Sequence, residues 1–183
     1  MSLWLLSYFV LWIVVGTLAV AVVVLFRQLG VLHLRFGPRG ALALSEGPPV
    51  GEPAPRIATT DLTGALHELG GGGTATTVVF ISPDCPLCDS LVPAIRALHG
   101  ELGTDEDLIA VTSDDDDASR AYQRRLGAVP LVASSAIGEA YGITGTPYAV
   151  HIDAQGIVAR KGVVNTLEQL EGVVEPSRLY AGA

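Results

Sequence analysis

The side chains best suited to chemistry are the two cysteines, which stand in one tetrapeptide, Cys85-Pro86-Leu87-Cys88. At a helix start, this spacing brings two sulfurs within disulfide reach without moving the backbone. Cys85 falls at the N-cap of the predicted helix and Pro86 at its first position, where the missing proline N–H costs nothing. Unpaired backbone N–H groups and the positive end of the helix dipole favour an anionic sulfur on Cys85. The thiolate is the form that attacks a disulfide, so Cys85 is the expected nucleophile and Cys88 the resolving thiol. Pro86 and Leu87 complete the motif. Asp84 and Asp89 bracket the pair, and their charge opposes an anionic sulfur. That leans the expected chemistry toward reduction or isomerisation.

Other chemistries compete for the same pair. A purely structural disulfide would contribute little, because so short a loop hardly restricts the unfolded chain. Zinc needs about four ligands, and His33, His67, His99 and His151 are not spaced to supply the remainder; no metal is expected. A peroxidatic cysteine is the third reading, since Ser82 precedes Cys85 with the spacing seen in peroxiredoxins. Val78 stands where those enzymes carry a proline, however, and their motif lacks this resolving cysteine.

The elements that must position the pair follow from pattern. Thr76 to Ile81 is β-branched and apolar throughout, as a central strand buried on both faces should be. Ser82-Pro83-Asp84 then lifts Cys85 to the sheet edge. Cys85 to Leu98 is helical, with Cys88, Leu91, Ile95 and Leu98 on one face and Gly100 as its stop. Ahead of it, Arg56 to Leu62 and Ala65 to Leu69 form a hairpin around Gly64. Behind it come a strand over Leu108 to Thr112, a helix over Ala118 to Leu126 and a short helix over Ser134 to Tyr141. Tyr148 to Ile152 and Ile157 to Lys161 flank the turn Asp153-Ala154-Gln155-Gly156. A helix over Thr166 to Val173 closes the domain. This order of elements resembles the thioredoxin arrangement, an α/β fold with a central mixed sheet flanked by helices. In proteins of that kind a cis-proline faces the active cysteine, and the residue before it pairs by backbone with bound substrate. The resemblance places those roles on Pro147 and Thr146. Pro93 adds to it, since thioredoxins also kink this helix and an interior proline is otherwise costly.

Hydrophobic residues make up 49% of the chain, high for a soluble domain, and the excess is concentrated at one end. No residue from Trp4 to Phe26 carries a charge. A helix of that length spans roughly 35 Å, enough to cross a hydrocarbon core of about 30 Å. Trp4 and Tyr8 suit an interfacial aromatic belt, with Trp12 deeper. No basic side chain precedes the run and it is long, so it is expected to be an uncleaved anchor rather than a signal peptide. The expected organisation is a tail at 1–3, a transmembrane helix at 4–26, a juxtamembrane segment and linker at 27–49, the thioredoxin-like domain at 50–176 and a tail at 177–183. The linker expectation rests on Gly37-Pro38 and on the Pro/Gly-rich stretch ending at Pro55. The net charge is −8, and Arg27, Arg35 and Arg39 sit beside the apolar run, so the domain itself is more acidic still. That argues against a nucleic acid partner.

Several features have ordinary explanations. Asp114 to Asp117 precede a helix, where capping and solvation account for them. Gly70 to Gly73 lead into a strand with no Lys-Ser/Thr following, so they are not a phosphate loop. His99 near a helix end suits the dipole, and Tyr141 and Tyr148 suit packing.

The chain also resembles the MauD family, accessory proteins of methylamine dehydrogenase biogenesis, over most of its length. The resemblance rests on Arg27-Gln28-Leu29-Gly30-Val31-Leu32-His33, Val50-Gly51-Glu52-Pro53-Ala54-Pro55 and Ser82-Pro83-Asp84-Cys85-Pro86-Leu87-Cys88. It extends to Pro147-Tyr148-Ala149-Val150 and Lys161-Gly162-Val163-Val164-Asn165-Thr166. It implies a bacterial inner-membrane protein with one span, its domain facing the periplasm, acting as a thiol–disulfide oxidoreductase or isomerase. The implied client is a cysteine-containing protein, the small subunit of methylamine dehydrogenase, served together with a redox partner of unspecified identity and no cofactor. Asp89 departs from the basic residue that thioredoxin-like proteins often place after the second cysteine. The arginines after the apolar run oppose the topology, since the positive-inside rule would put the domain in the cytoplasm. A disulfide client requires an oxidising compartment, so the periplasmic side is the expectation. Two other functions fit the same motifs: a general anchored thiol reductase of the cytochrome c maturation type, and a non-catalytic chaperone using the thioredoxin surface.

Overall fold

The computed structural model describes residues 2–35, 47–102 and 106–174. Residues 36–46 of the expected 27–49 segment and the tail at 177–183 lie outside them. The elements are α1 (Ser2–Arg35), β1 (Ile57–Thr60), β2 (Leu66–Leu69), β3 (Ala75–Phe80), α2 (Pro86–Glu101), β4 (Glu106–Thr112), α3 (Asp117–Leu126), β5 (Leu131–Ala133), α4 (Ser135–Ala140), β6 (Tyr148–Ile152), β7 (Val158–Val163) and α5 (Leu167–Val174). The chain divides into two compact units, 1–42 and 43–183.

The first unit is the helix α1, which holds the uncharged stretch and continues past Phe26 to Arg35. Trp4, Phe9, Trp12 and Leu18 are exposed on it. Counted over the described residues alone, no helix is long and apolar enough to cross a membrane.

The second unit is built on a five-stranded sheet of order β5-β4-β3-β6-β7. β4 runs parallel to β3 and β5, while β6 is antiparallel to both β3 and β7. β3 is central, and alternation sends its side chains to opposite faces. Val79 and Ile81 join Leu91, Ile95, Leu126 and Leu170 on the side of α2, α3 and α5. Val78 and Phe80 join Tyr141, Tyr148 and Leu69 on the side of α4 and the β1–β2 hairpin. A strand packed on both faces has no solvent side to be polar, hence its unbroken Thr-Val-Val-Phe run.

Two features depart from expectation by more than one or two residues at an element's end. α2 runs through Gly100 to Glu101, ending at Leu102, whose N–H bonds the Leu98 carbonyl. Gly100 therefore does not stop the helix. The edge strand β5 has no counterpart in the sequence reading, because three residues after Pro130 are too few to show a period.

The Pro/Gly-rich stretch read as linker is packed from Gly47 onward. Gly51 N–H bonds Val158 O, Val158 N–H bonds Glu52 O, and Ala54 N–H bonds Gly156 O. Lys161 Nζ donates to Gly47 O at 3.0 Å, and Tyr141 Oη donates to Pro55 O at 3.1 Å. This strap pairs with the turn into β7 and with its first residue, Val158, satisfying backbone groups that an edge strand would otherwise leave unpaired. The glycine run serves the same closure. Gly70 has φ +71°, and a Cβ there would lie 2.4 Å from Pro55 O. Asp116 caps α3 by accepting from Ser119 N at 2.7 Å, which assigns the acidic run its structural role.

Candidate active site

Strand β3 ends at Phe80, and a tight turn carries the chain to Cys85. Ser82 builds that turn: its carbonyl accepts the Cys85 N–H at 3.1 Å and its hydroxyl accepts the Asp84 N–H. Cys85 is the N-cap of α2, with extended backbone (φ −99°, ψ 109°), and Pro86 occupies the first turn. Cys85 Sγ accepts from Cys88 N at 3.4 Å, the contact a capping side chain makes with the third N–H of a helix. A backbone dipole thus points at this sulfur.

The two sulfurs meet different surroundings although they are one helical turn apart. Cys85 is half-buried, and Cys88 is fully buried against Leu91 and Ile95. Burial pushes the Cys88 thiol up to about 12, and its contact with Cys85 adds to the rise, outweighing the Ser82 backbone and the Thr146 side chain. Cys88 therefore stays protonated at neutral pH, leaving half-buried Cys85 as the more accessible sulfur. Both thiols are free.

Across from the helix end, the Thr146–Pro147 peptide is cis. Cys85 Sγ donates toward Thr146 O at 3.8 Å. The loop connecting α4 to β6 and the loop connecting β3 to α2 thus meet over Cys85, bringing together Cys85, Cys88, Pro86, Thr146 and Pro147. Leu87 projects outward, about half exposed. A groove of about 110 Å³ opens beside the same loop, lined by hydroxyl-bearing Thr112, Ser134 and Thr146 together with apolar Phe80, Val111 and Ile143. Tyr141 and Tyr148 do not edge it; both are buried on the α4 side of the sheet.

Asp89 is the residue whose electrostatics the sequence left incomplete. Arg125 Nη1 lies 2.7 Å from Asp89 Oδ1, so the acid beside the pair has a cationic partner on α3. The bridge spans α2 and α3, and only the fold could reveal it. The basic charge absent from the position after Cys88 is supplied across the helix interface instead. His67 and His151 are committed elsewhere, to Asp61 and Thr77, each at 2.9 Å. Among the described residues no cluster of His, Cys, Asp or Glu is placed to hold a metal.

Fold and site together define a thiol–disulfide oxidoreductase of the thioredoxin fold. Residues 49–175 match the Redoxin family model. The chain is 33% identical over 175 residues to the methylamine utilization protein MauD of Paracoccus denitrificans, covering 94% of this chain and 88% of that one. It is likewise 33% identical to MauD of Methylorubrum extorquens, covering 94% of this chain and 85% of its relative. The chain belongs to the MauD family. Among solved structures, a thiol:disulfide interchange protein from Chlorobium tepidum superposes with a TM-score of 0.59 at 20% identity, over 70% of this chain and 97% of that one. A thiol:disulfide interchange protein from Bacteroides sp. gives 0.57 at 20% identity, over 73% and 97%. At that identity the structural likeness establishes the fold.

The unequal sulfurs generate a direct expectation. With iodoacetamide near neutral pH, Cys85 should be labelled and Cys88 protected in the folded protein. Cys88 labelling should rise only in strongly alkaline buffer or after denaturation. Peptide mass mapping reads the two sites separately, and equal labelling at neutral pH would contradict the assigned burial.

Proposed function

We propose that this chain is a membrane-anchored catalyst of disulfide exchange that helps mature the methylamine dehydrogenase small subunit. The observation that carries the chemistry is the half-exposed Cys85 sulfur at a helix N-terminus, with Thr146 O 3.8 Å away and Cys88 sealed behind it. Cys85 is the nucleophile in this reading. Its thiolate attacks a client disulfide, one client sulfur leaves as a thiolate, and Cys85 is joined to the other. Cys88 then attacks Cys85 Sγ, closing the Cys85–Cys88 disulfide and releasing the second client sulfur reduced. In reverse, a client thiolate opens the Cys85–Cys88 disulfide, and a second client thiolate closes the new client bond. Shuffling between the two directions is isomerisation, and a separate redox partner resets the pair.

Thr146 and Pro147 form the client-binding edge in this account. An extended client segment pairs its backbone with Thr146 and lays neighbouring side chains into the adjoining groove. The family relatives carry methylamine utilization in their names, which favours that pathway's cysteine-containing subunit as the client. The uncharged Trp4–Phe26 stretch is the anchor, and the domain works in the periplasm, where a disulfide client is oxidised.

Two experiments test this. In cells expressing the methylamine dehydrogenase operon, Cys88→Ser should accumulate the small subunit as a reducible mixed disulfide through Cys85, and Cys85→Ser should abolish it. Full maturation by both variants would instead make the domain a non-catalytic holder. For topology, alkaline phosphatase fused after Ala183 should be active. Inactive phosphatase in cells that produce the fusion would place the domain on the cytoplasmic side, as Arg27, Arg35 and Arg39 alone would have it.

A further inference from the structure

One glycine beside the active-site loop has no backbone reason to be glycine. Gly138 lies inside α4 with helical backbone, so no left-handed conformation calls for it. Any residue other than proline would favour the helix more. Close packing does not call for it either, since a Cβ built on Gly138 would meet nothing nearer than Ile143 O, at 4.0 Å. What the missing side chain does is leave space. Gly138 and Ile143 both line the groove of about 110 Å³ beside the Thr146–Pro147 loop.

That groove is placed to meet a client. Thr146 borders it, and Thr146 O is 3.8 Å from Cys85 Sγ. A client cysteine under attack by Cys85, in a segment paired with Thr146, therefore sets a neighbouring side chain at the groove. Successive side chains of an extended segment point to opposite faces, so a single flanking residue enters. Buried Phe80 and Val111, with half-buried Ile143, supply an apolar lining, and no charged residue among those described borders the groove. Burying an unpaired charge there would be costly. A cavity of about 150 Å³ can hold a benzene ring. The smaller groove suits an aliphatic side chain of leucine size or less, and not an aromatic one.

We propose that this groove is a specificity pocket for one aliphatic side chain flanking the client cysteine, and that Gly138 keeps it open. This deepens the disulfide-exchange reading above and rests on it. The pocket selects which client disulfide Cys85 attacks, and Gly138 is a specificity-determining residue that touches no reacting atom.

Symmetric disulfides of short peptides test this, each with leucine, alanine, tryptophan or aspartate on both sides of its cysteine. The reduced full-length protein in detergent is mixed with each, and release of peptide thiol is followed. The Cys85 thiolate displaces one peptide as its thiolate and stays joined to the other until Cys88 releases that one too. The leucine peptide should react about tenfold faster than the alanine peptide, the scale of burying one aliphatic side chain. Tryptophan and aspartate should gain nothing over alanine. Gly138→Ala should lower the leucine-to-alanine ratio at least twofold while the thermal midpoint stays equal or rises. Gly138→Leu should bring the ratio close to one; if that variant does not fold, Gly138→Ala decides alone. Equal rates for the leucine and alanine peptides in the unsubstituted protein, or a ratio that survives Gly138→Ala, would overturn the proposal. Hydroxyethyl disulfide, which carries no flanking residue, separates the two levels. If the unsubstituted protein reduces it but shows no peptide preference, the pocket alone fails. If the protein cannot reduce it or any peptide, the disulfide-exchange reading fails, and this inference with it.

Discussion

Two identical side chains are made unequal by where one helix begins. α2 opens at Pro86, so Cys85 is its cap and Cys88 lies one turn inside. The cap position exposes the first sulfur to solvent and to unpaired backbone N–H groups. The interior position turns the second sulfur toward the sheet, where burial holds it protonated. Shifting the helix start by one residue would rotate both sulfurs by about 100° and lose the division of labour. Much of the surrounding structure keeps that start in place. The Ser82 turn delivers Cys85 from the end of β3, Pro86 admits no earlier helical hydrogen bond, and the Thr146–Pro147 loop closes over the cap.

The site was legible because its chemistry is local. Residue type, spacing and a helix start sufficed to place Cys85 and Cys88, and a buried strand ahead of them follows from six adjacent β-branched or aromatic residues, Thr76 to Ile81. The hairpins showed for the same reason, each marked by its own turn. What stayed hidden depends on contacts between segments distant in the chain. Arg125 neutralising Asp89 requires α3 to lie against α2, and no spacing rule connects residues so far apart. β5 escaped notice because it is an edge strand too short for a period. Glycine is favoured beyond helix ends, yet α2 runs through Gly100 to Glu101 at the modest cost of one interior glycine.

The strap resolves a point that chemistry alone left open. Val50 to Pro55 and the Lys161 region both carry family resemblance while standing apart from the cysteines in sequence. In the fold both are tied to β7 or the turn leading into it. The strap pairs with Val158 and Gly156, and Lys161 reaches back to Gly47 O. β7 pairs with β6, and β6 begins directly after Pro147. The strap therefore supports, through two strands, the loop that faces Cys85.

The central claim, that Cys85 and Cys88 act as one unequal pair, is tested most directly by equilibrating the full-length protein across glutathione redox buffers and quantifying each thiol. The account predicts one two-electron transition, from dithiol to intramolecular disulfide, with at most a trace of glutathione on Cys85. Accumulation of glutathione on Cys85 while Cys88 remains a free thiol at every poise would contradict it, because the inner sulfur would then be unable to complete the exchange.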